Sequence, residues 1–492
     1  MTESPTTVRP PRTAPALLPS LGLFTTVMMV VGGVIGSGIF KKPAIMAAQV
    51  GSPGLLLMVW LLAGVLTLFG ALTIAEITGI IPETGGQYVY FERIFGPFTG
   101  FLYGWACFAV IQTGSIAAVA YIFAEYAAQF IRLPEFSPAL SAWSVHLYGL
   151  GDVTPFRDIG VKGIAALLIF ILTVVNYVGV RFGGLVQNIF TIAKVAAMAA
   201  LMLGAFLLPA GGAVSHLTTH STIIHPQGLA LILATVASLQ GAFWAYDGWI
   251  KLTYIAGEIK EPQLNLPRAL GLGLLLVTLI YMLMNLAYAY VLPVDQMAKS
   301  KLVAADVAER CFQGGGRWIA AAVMISTFGT TNSIILATAR VFYSMAHQNV
   351  FPKFLGKVHP RFHTPGPSLV VQGVWSALLL FSGTFDTLTD TLIFISWIFY
   401  AASAWGVFVL RRREPYAPRP YHAPGYPFVP AIFILFAVLY LVFTVYNDFA
   451  AYRAAVAAGK PALINSIFGT VLVLSGAPIY LYYRTRPRQP DT

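Results

Sequence analysis

Apolar runs long enough to cross a bilayer constrain this chain more than any other feature. A helix needs about 20 mostly apolar residues to span hydrocarbon, and on that rule about twelve spans fit the sequence. Their limits fall near 21–50, 54–80, 97–130, 161–179, 184–209, 229–257, 268–292, 317–345, 367–384, 388–410, 428–448 and 462–484. Backbone N–H and C=O groups find no water in hydrocarbon, so only helices or closed barrels can span. These runs are continuously apolar and do not alternate, so the spans are read as helices. The third and eighth are long enough to need tilt. No connection between spans is long enough to bury a soluble core. The expected fold is an all-α membrane protein of about 12 transmembrane helices.

Charge supports that reading. Only 10% of the 492 residues are charged and 57% are hydrophobic, against roughly 25% charged in soluble proteins. The net charge of +11 would suggest nucleic acid on a soluble chain. Here the basic residues sit mainly between apolar runs, so no nucleic acid partner is expected. Arg181, Arg268, the Lys353–Lys357–Arg361 loop, Arg411–Arg413 and Arg484–Arg486–Arg488 fall on the side of the N-terminus. Arg132, Arg157, Lys299 and Lys301 fall opposite. The positive-inside rule then places both termini in the cytoplasm, with the protein in the cell's inner (plasma) membrane. Residues 1–20 read as a polar, Pro-rich tail without a signal peptide, and 485–492 as a second cytoplasmic tail. Two cysteines, Cys107 and Cys311, exclude a disulfide scaffold and a Cys-based zinc site. Three connections read as structured: 82–97, 294–312 and 350–367.

Two of the apolar runs contain residues that break helices. The first carries Gly32-Gly33-Val34-Ile35-Gly36-Ser37-Gly38, and each interior glycine costs roughly 1 kcal/mol against alanine. Irregular backbone at membrane depth is tolerated only where it lines an enclosed cavity. A break at Gly36–Ser37–Gly38 frees N–H groups at a helix start, which suits a carboxylate. A stripe of small residues for helix packing is the plainer alternative. The sixth run carries Phe243-Trp244-Ala245-Tyr246-Asp247-Gly248-Trp249, with Trp244 set at the expected break. An intramembrane acid beside a glycine points to function, and free carbonyls there could accept from an ammonium group. Corresponding breaks five spans apart point to a transporter built from inverted repeats with a midplane site. N–H groups on one break and carbonyls on the other suit a zwitterion, an α-amino acid above all.

Lys194 is the third signal. It lies about eleven residues, roughly 16 Å, from either end of the fifth run, too deep to reach water easily, and needs partners there. Glu76, Glu92 and Glu258 lie where ion pairs with arginines could gate the cytoplasmic side. Most other embedded polar residues, such as Gln112, Ser115, Glu125, Asn176, Thr330 and Asn332, read as helix–helix glue. The sequence has no HExxH, P-loop or Gly-x-Ser-x-Gly, and its eight histidines lie in loops or at helix ends. No enzyme activity, catalytic residue, cofactor or metal is expected. Neither a filter ring nor a charged pore helix marks an ion channel.

These residues resemble the amino acid–polyamine–organocation (APC) superfamily, and within it most the L-type amino acid transporter (LAT) group and its bacterial relatives. The resemblance rests on an ordered set of segments across about residues 20 to 410. These are Gly36 to Phe40; Ala75-Glu76 with Glu83 to Tyr90; and Phe243 to Trp249 with Glu258, Glu261-Pro262 and Asn265 to Arg268. Arg340, His359-Pro360 and Thr364 to Leu369 complete it. It implies a LeuT-like 5+5 inverted repeat with broken helices 1 and 6: spans 1–5 over 21–209, spans 6–10 over 229–410, and two further spans over 428–484. It also implies a substrate site. The carboxylate meets the N–H groups of Ser37 and Gly38 beside Gly36. The amine meets the carbonyls of Val34, Ile35, Trp244 and Ala245, with Trp244 as an aromatic gate and Phe243 and Asp247 nearby. Lys194 matches the family's lysine that stands where sodium-coupled relatives hold sodium. Two departures matter. The third span reads Ile111-Gln112-Thr113-Gly114-Ser115 where animal carriers tend to have Arg-Pro. Residues 131–160 lack the cysteine by which animal members bind a heavy chain, so no heavy-chain subunit is expected. The implied activity is sodium-independent transport of L-amino acids, neutral ones first, by exchange. A proton-coupled symporter, a cationic amino acid or polyamine carrier, and a non-transporting nutrient receptor are the alternatives.

Overall fold

The computed structural model describes residues 21–485 except 82, 84, 180–182, 209–211, 349 and 363; of 183–189, 255, 257, 258 and 485 only the backbone is described. The tails 1–20 and 486–492, Thr84, Arg181, Arg486, Arg488 and the Glu258 side chain therefore lie outside the described residues.

Within that range ten helices are long and apolar enough to cross a membrane, and one bent pair, Leu23–Val34 with Gly38–Val50, makes an eleventh span. The ninth apolar run forms a shorter helix, Gly366–Leu379, extended by one 3-10 turn to Ser382. The twelve expected segments are thus all helical, but the ninth falls short of a full crossing. Local chemistry explains several ends. Ser52 caps the second span by accepting from the Leu55 N–H, and Pro53 occupies the first turn, where its missing N–H costs nothing. The third span runs Pro97–Ala106 and Gln112–Ala127, joined by a π-helical stretch, Cys107–Ile111. The eighth, Gly315–His347, has 33 residues, which at 1.5 Å each exceeds the hydrocarbon thickness and requires tilt.

The spans interlock with a spacing of five. The second packs on the seventh, the third on the eighth, the fourth on the ninth, and the first crosses the sixth at both of its halves. Two five-span repeats folded around one centre give this pattern. One addition departs from an all-α reading. A short hairpin, β1 (Val145–Leu147) and β2 (Gly151–Val153), forms in the connection between spans three and four. The Asp152 N–H donates to the Ala462 carbonyl at 2.7 Å and the Ile464 N–H to Leu150 at 2.9 Å, so the hairpin clamps the connection between the last two spans. Helices Gln87–Phe95, Val294–Lys299 and Val303–Cys311 occupy two of the connections read as structured. The third holds one 3-10 turn, Lys353–Gly356.

On the side of the N-terminus, Glu76 is buried and receives two bonds from Arg411, at 2.8 and 2.7 Å. The Ala423 N–H adds a third at 2.7 Å, and Arg419 stands 3.6 Å away. A buried carboxylate needs such company, because an unpaired one is strongly destabilising. The arginine pairing foreseen for Glu76 is present. At its neighbour Glu92 it is Arg93 that pairs instead, with Glu414 at 3.0 Å.

Candidate functional site

Both foreseen breaks exist, and they touch. The first helix ends where the Ile35 N–H donates to the Val31 carbonyl; Gly36 and Ser37 lie outside helix, and the next helix starts at Gly38. The N–H groups of Gly36, Ser37 and Gly38 have no backbone acceptor among the described residues, as a helix start leaves them. In the sixth span the helix runs to Tyr246, Asp247 is extended, Gly248 has φ +110°, and a 3-10 helix continues from Trp249. The break is therefore at Asp247–Gly248, three residues beyond Trp244. Glycine is required at the crossing. A Cβ on Gly248 would stand 2.3 Å from the Gly33 carbonyl oxygen, and one on Gly38 2.5 Å from the Ala245 Cα.

A crevice opens between the breaks. The first span contributes Gly33, Val34, Gly36, Ser37 and Gly38, and the sixth contributes Trp244, Asp247 and Lys251. Ser115 and Val119 close it from the third span, Thr330 and Ile334 from the eighth. Little of it is open: the lining side chains leave about 20 Å³ in which a water can sit. That is room for about one water, so this conformation is closed around the site, and passage of a larger molecule requires a wall to move.

The expected residues do not all face this crevice. Val34, Gly36, Ser37, Gly38, Trp244 and Asp247 do. Ile35 and Ala245 lie behind it, and their carbonyls are engaged: Ile35 by Lys194, Ala245 by the Tyr281 hydroxyl at 2.9 Å. Tyr281 also donates to the Val34 carbonyl at 3.2 Å, and the Trp244 carbonyl accepts from the Asp247 N–H at 3.3 Å. Phe243 does not line the crevice; its ring packs at a tilt of 41° on Trp397, ring centres 4.0 Å apart. The Ser37 hydroxyl and the Trp244 indole N–H, on two residues that line the crevice, are buried without a hydrogen-bond partner among the described residues. Asp247 accepts from the Tyr400 hydroxyl at 2.6 Å.

Lys194 sits behind the first break. Its ammonium donates to the carbonyls of Gly32 and Ile35, both at 2.8 Å, and reaches Thr330 Oγ1 at 3.5 Å. One cation thus joins the last turn of the first half-helix to the eighth span. An ammonium has three donors and suits carbonyl and hydroxyl oxygens.

Sequence reasoning missed several residues. Tyr281, from the seventh span, holds carbonyls of both broken spans, and an aromatic in an apolar run gives no signal for that. Lys42 is buried just beyond the first break and donates to Asp386 at 2.7 Å and Thr389 at 2.9 Å, with Asp390 3.6 Å away. Lys41, next to it, pairs with Glu125 at 2.8 Å. Lys251 lies four residues past Asp247, and a lysine at that depth in an apolar run was itself a readable signal.

Two broken helices crossing at mid-membrane around a small polar crevice are the architecture of a secondary transporter. The chain belongs to the amino acid permease family, whose profile matches residues 21–473; it is a multi-pass amino acid transporter of the APC type. It is 33% identical to the serine/threonine exchanger SteT of Bacillus subtilis over 95% of this chain and 97% of that protein. It is 31% identical to the human large neutral amino acids transporter small subunit 2 over 96% of this chain and 82% of that protein. Against the human b(0,+)-type amino acid transporter 1 the identity is 30%, over 86% and 82%.

Proposed function

We propose that this protein exchanges L-amino acids across the cell's inner membrane by alternating access, without sodium. The observation that carries the reading is the pair of touching breaks with Lys194 bound to the first. The N–H groups of Ser37 and Gly38 offer a carboxylate site at a helix start, and the Val34 carbonyl at the crevice wall offers an acceptor for an amine. Lys194 occupies the carbonyls of the broken turn with its own donors, so no bound cation is needed there. Exchange is supported by relatives named as an exchanger and as amino acid transporters. A cationic side chain fits less well, since the one acid at the crevice, Asp247, is engaged by Tyr400. The arginine-rich side that holds Glu76 is read as cytoplasmic. Residues 131–160 hold no cysteine, so the carrier works without a covalently attached heavy chain.

The test is uptake of labelled amino acids into proteoliposomes, with and without internal amino acid, in sodium-free buffer and across a pH gradient. The reading expects uptake that depends on internal substrate and not on sodium. Uptake driven by the pH gradient into empty vesicles would favour proton symport instead.

A further inference from the structure

A groove on the surface of the bundle, apart from the crevice, has no task in exchange. It measures about 550 Å³, within the range of roughly 300–1,000 Å³ that holds small ligands. Its walls are aromatic and aliphatic. The third span gives Trp105 and Phe108, the connection between spans eight and nine gives Phe351 and Phe354, and the last span gives Ile479 and Tyr482. The Phe354 and Tyr482 rings are half exposed. The groove opens on the side of the N-terminus, where that connection lies and the last span ends. Phe108 lies eleven residues into the third span from Pro97, about 16 Å at 1.5 Å each. The groove therefore reaches about halfway through hydrocarbon about 30 Å thick. Tyr482 and Tyr483, at its other end, suit the headgroup level where aromatic belts sit. An apolar wall one leaflet deep matches an acyl chain.

Cations flank its mouth. Lys353 stands between the lining residues Pro352 and Phe354, Lys357 two residues past Leu355, and Arg484 directly after Tyr483. All three are exposed, and none has a hydrogen-bond or ion-pair partner for its side chain among the described residues. No acid lines the groove among the described residues. Other cations of this side are engaged elsewhere: Arg411 and Arg419 by Glu76, Arg93 by Glu414, and Arg413 by the Ile94 carbonyl. We propose that the groove binds an anionic phospholipid of the leaflet on this side. An acyl chain lies between the aromatic walls, and the headgroup phosphate meets Lys353, Lys357 and Arg484. The cations make the site selective, because an apolar groove alone would take the chain of any phospholipid. Basic pockets between spans hold anionic headgroups for this reason. A bound lipid ties together the third span, the connection after the eighth and the last span. The site is separate from the crevice, so it does not depend on what the carrier exchanges.

Trp105 reports on the groove directly. The full chain is placed in phosphatidylcholine nanodiscs doped with phosphatidylglycerol whose acyl chains carry bromine, which quenches a tryptophan in contact. A parallel set carries brominated phosphatidylcholine. The part of the quenching lost in Trp105→Phe belongs to this groove. Each cation that meets an anionic headgroup favours it about fivefold. Brominated phosphatidylglycerol should therefore quench Trp105 at a share of the lipid at least tenfold lower than brominated phosphatidylcholine does. Lys353→Gln, Lys357→Gln and Arg484→Gln together should remove that advantage and keep quenching by either lipid at high share. Equal quenching by both lipids in the wild type overturns the proposal, since the groove then takes bulk lipid. An unchanged advantage in the triple variant also overturns it, because another charge would then select the lipid. Absence of quenching at Trp105 by either lipid overturns it too, and shows the groove filled by a tail of the chain or by a second copy. Should the triple variant fail to fold, the wild-type comparison alone decides.

Discussion

Replacing Gly248 by alanine tests whether the two breaks depend on each other. The added Cβ would stand 2.3 Å from the Gly33 carbonyl oxygen and 3.0 Å from its carbon. Ordinary contact begins near 3.4 Å, so the breaks must separate by about 1 Å. At φ +110° a residue with a side chain also carries strain of about 1–3 kcal/mol. A displacement of about 1 Å between positioned groups costs on the order of 100-fold in rate. Gly248→Ala is therefore expected to fold with lowered thermal stability and to exchange amino acids about 100-fold more slowly. The assay is exchange in proteoliposomes, normalised to inserted protein, beside a melting curve in detergent. Gly163→Ala is the control, because in the fourth span a Cβ at Gly163 meets nothing within 4 Å. Wild-type rate and affinity in Gly248→Ala would refute the claim that the crossing shapes the site.

Other perturbations probe the walls. Trp244→Ala opens the crevice where the indole packs on Phe385 at 6.1 Å, and bulkier substrates should enter. An unchanged substrate profile with only a lower yield would make Trp244 a packing residue. Lys42→Met leaves Asp386 and Asp390 without their cation, and because Asp386 is 45% exposed and water screens it, the melting temperature should fall only modestly. Adding Asp386→Asn and Asp390→Asn should restore part of the melting temperature, and strictly additive losses would show that the three do not interact. Outside the membrane, the Ser221 hydroxyl and the N–H and hydroxyl of Thr222 hold the Asp295 carboxyl down at about 2. A carboxylate depressed in the folded state stabilises fully above its unfolded value near 3.8 and loses that contribution as pH falls toward 2. Proteolysis of the 212–228 connection should therefore rise between about pH 4 and pH 2 in the wild type, and Asp295→Asn should flatten the rise. The same pH profile in both would remove Asp295 as the cause.

Much of this architecture was legible because membranes impose simple rules. Span length, the glycines at 36 and 38, and the lone depth of Lys194 each follow from local sequence and the cost of polar groups in lipid. The partners were not legible. Lys42 and Asp386 are 344 residues apart, and no local pattern links them. The exact place of the second break depends on Gly248 meeting Gly33, a tertiary contact. Phe243 was expected near the substrate from the resemblance of the segment Phe243 to Trp249. Helical geometry turns adjacent residues about 100° apart, and Phe243 packs on Trp397 instead. Lys251, four residues past Asp247, carries a readable signal of its own, a lysine within an apolar run.

The central claim is that Lys194 takes the place of a bound cation in holding the first break for substrate. Amino acid exchange by wild-type and Lys194→Ala proteins, each in sodium-free choline buffer and in sodium buffer, tests it most directly. The account predicts wild-type exchange at the same rate in both buffers. It predicts a loss of at least tenfold in Lys194→Ala, with the protein still inserted and monodisperse. Wild-type exchange that stops when sodium is removed, or a Lys194→Ala protein that exchanges normally without it, would contradict the claim.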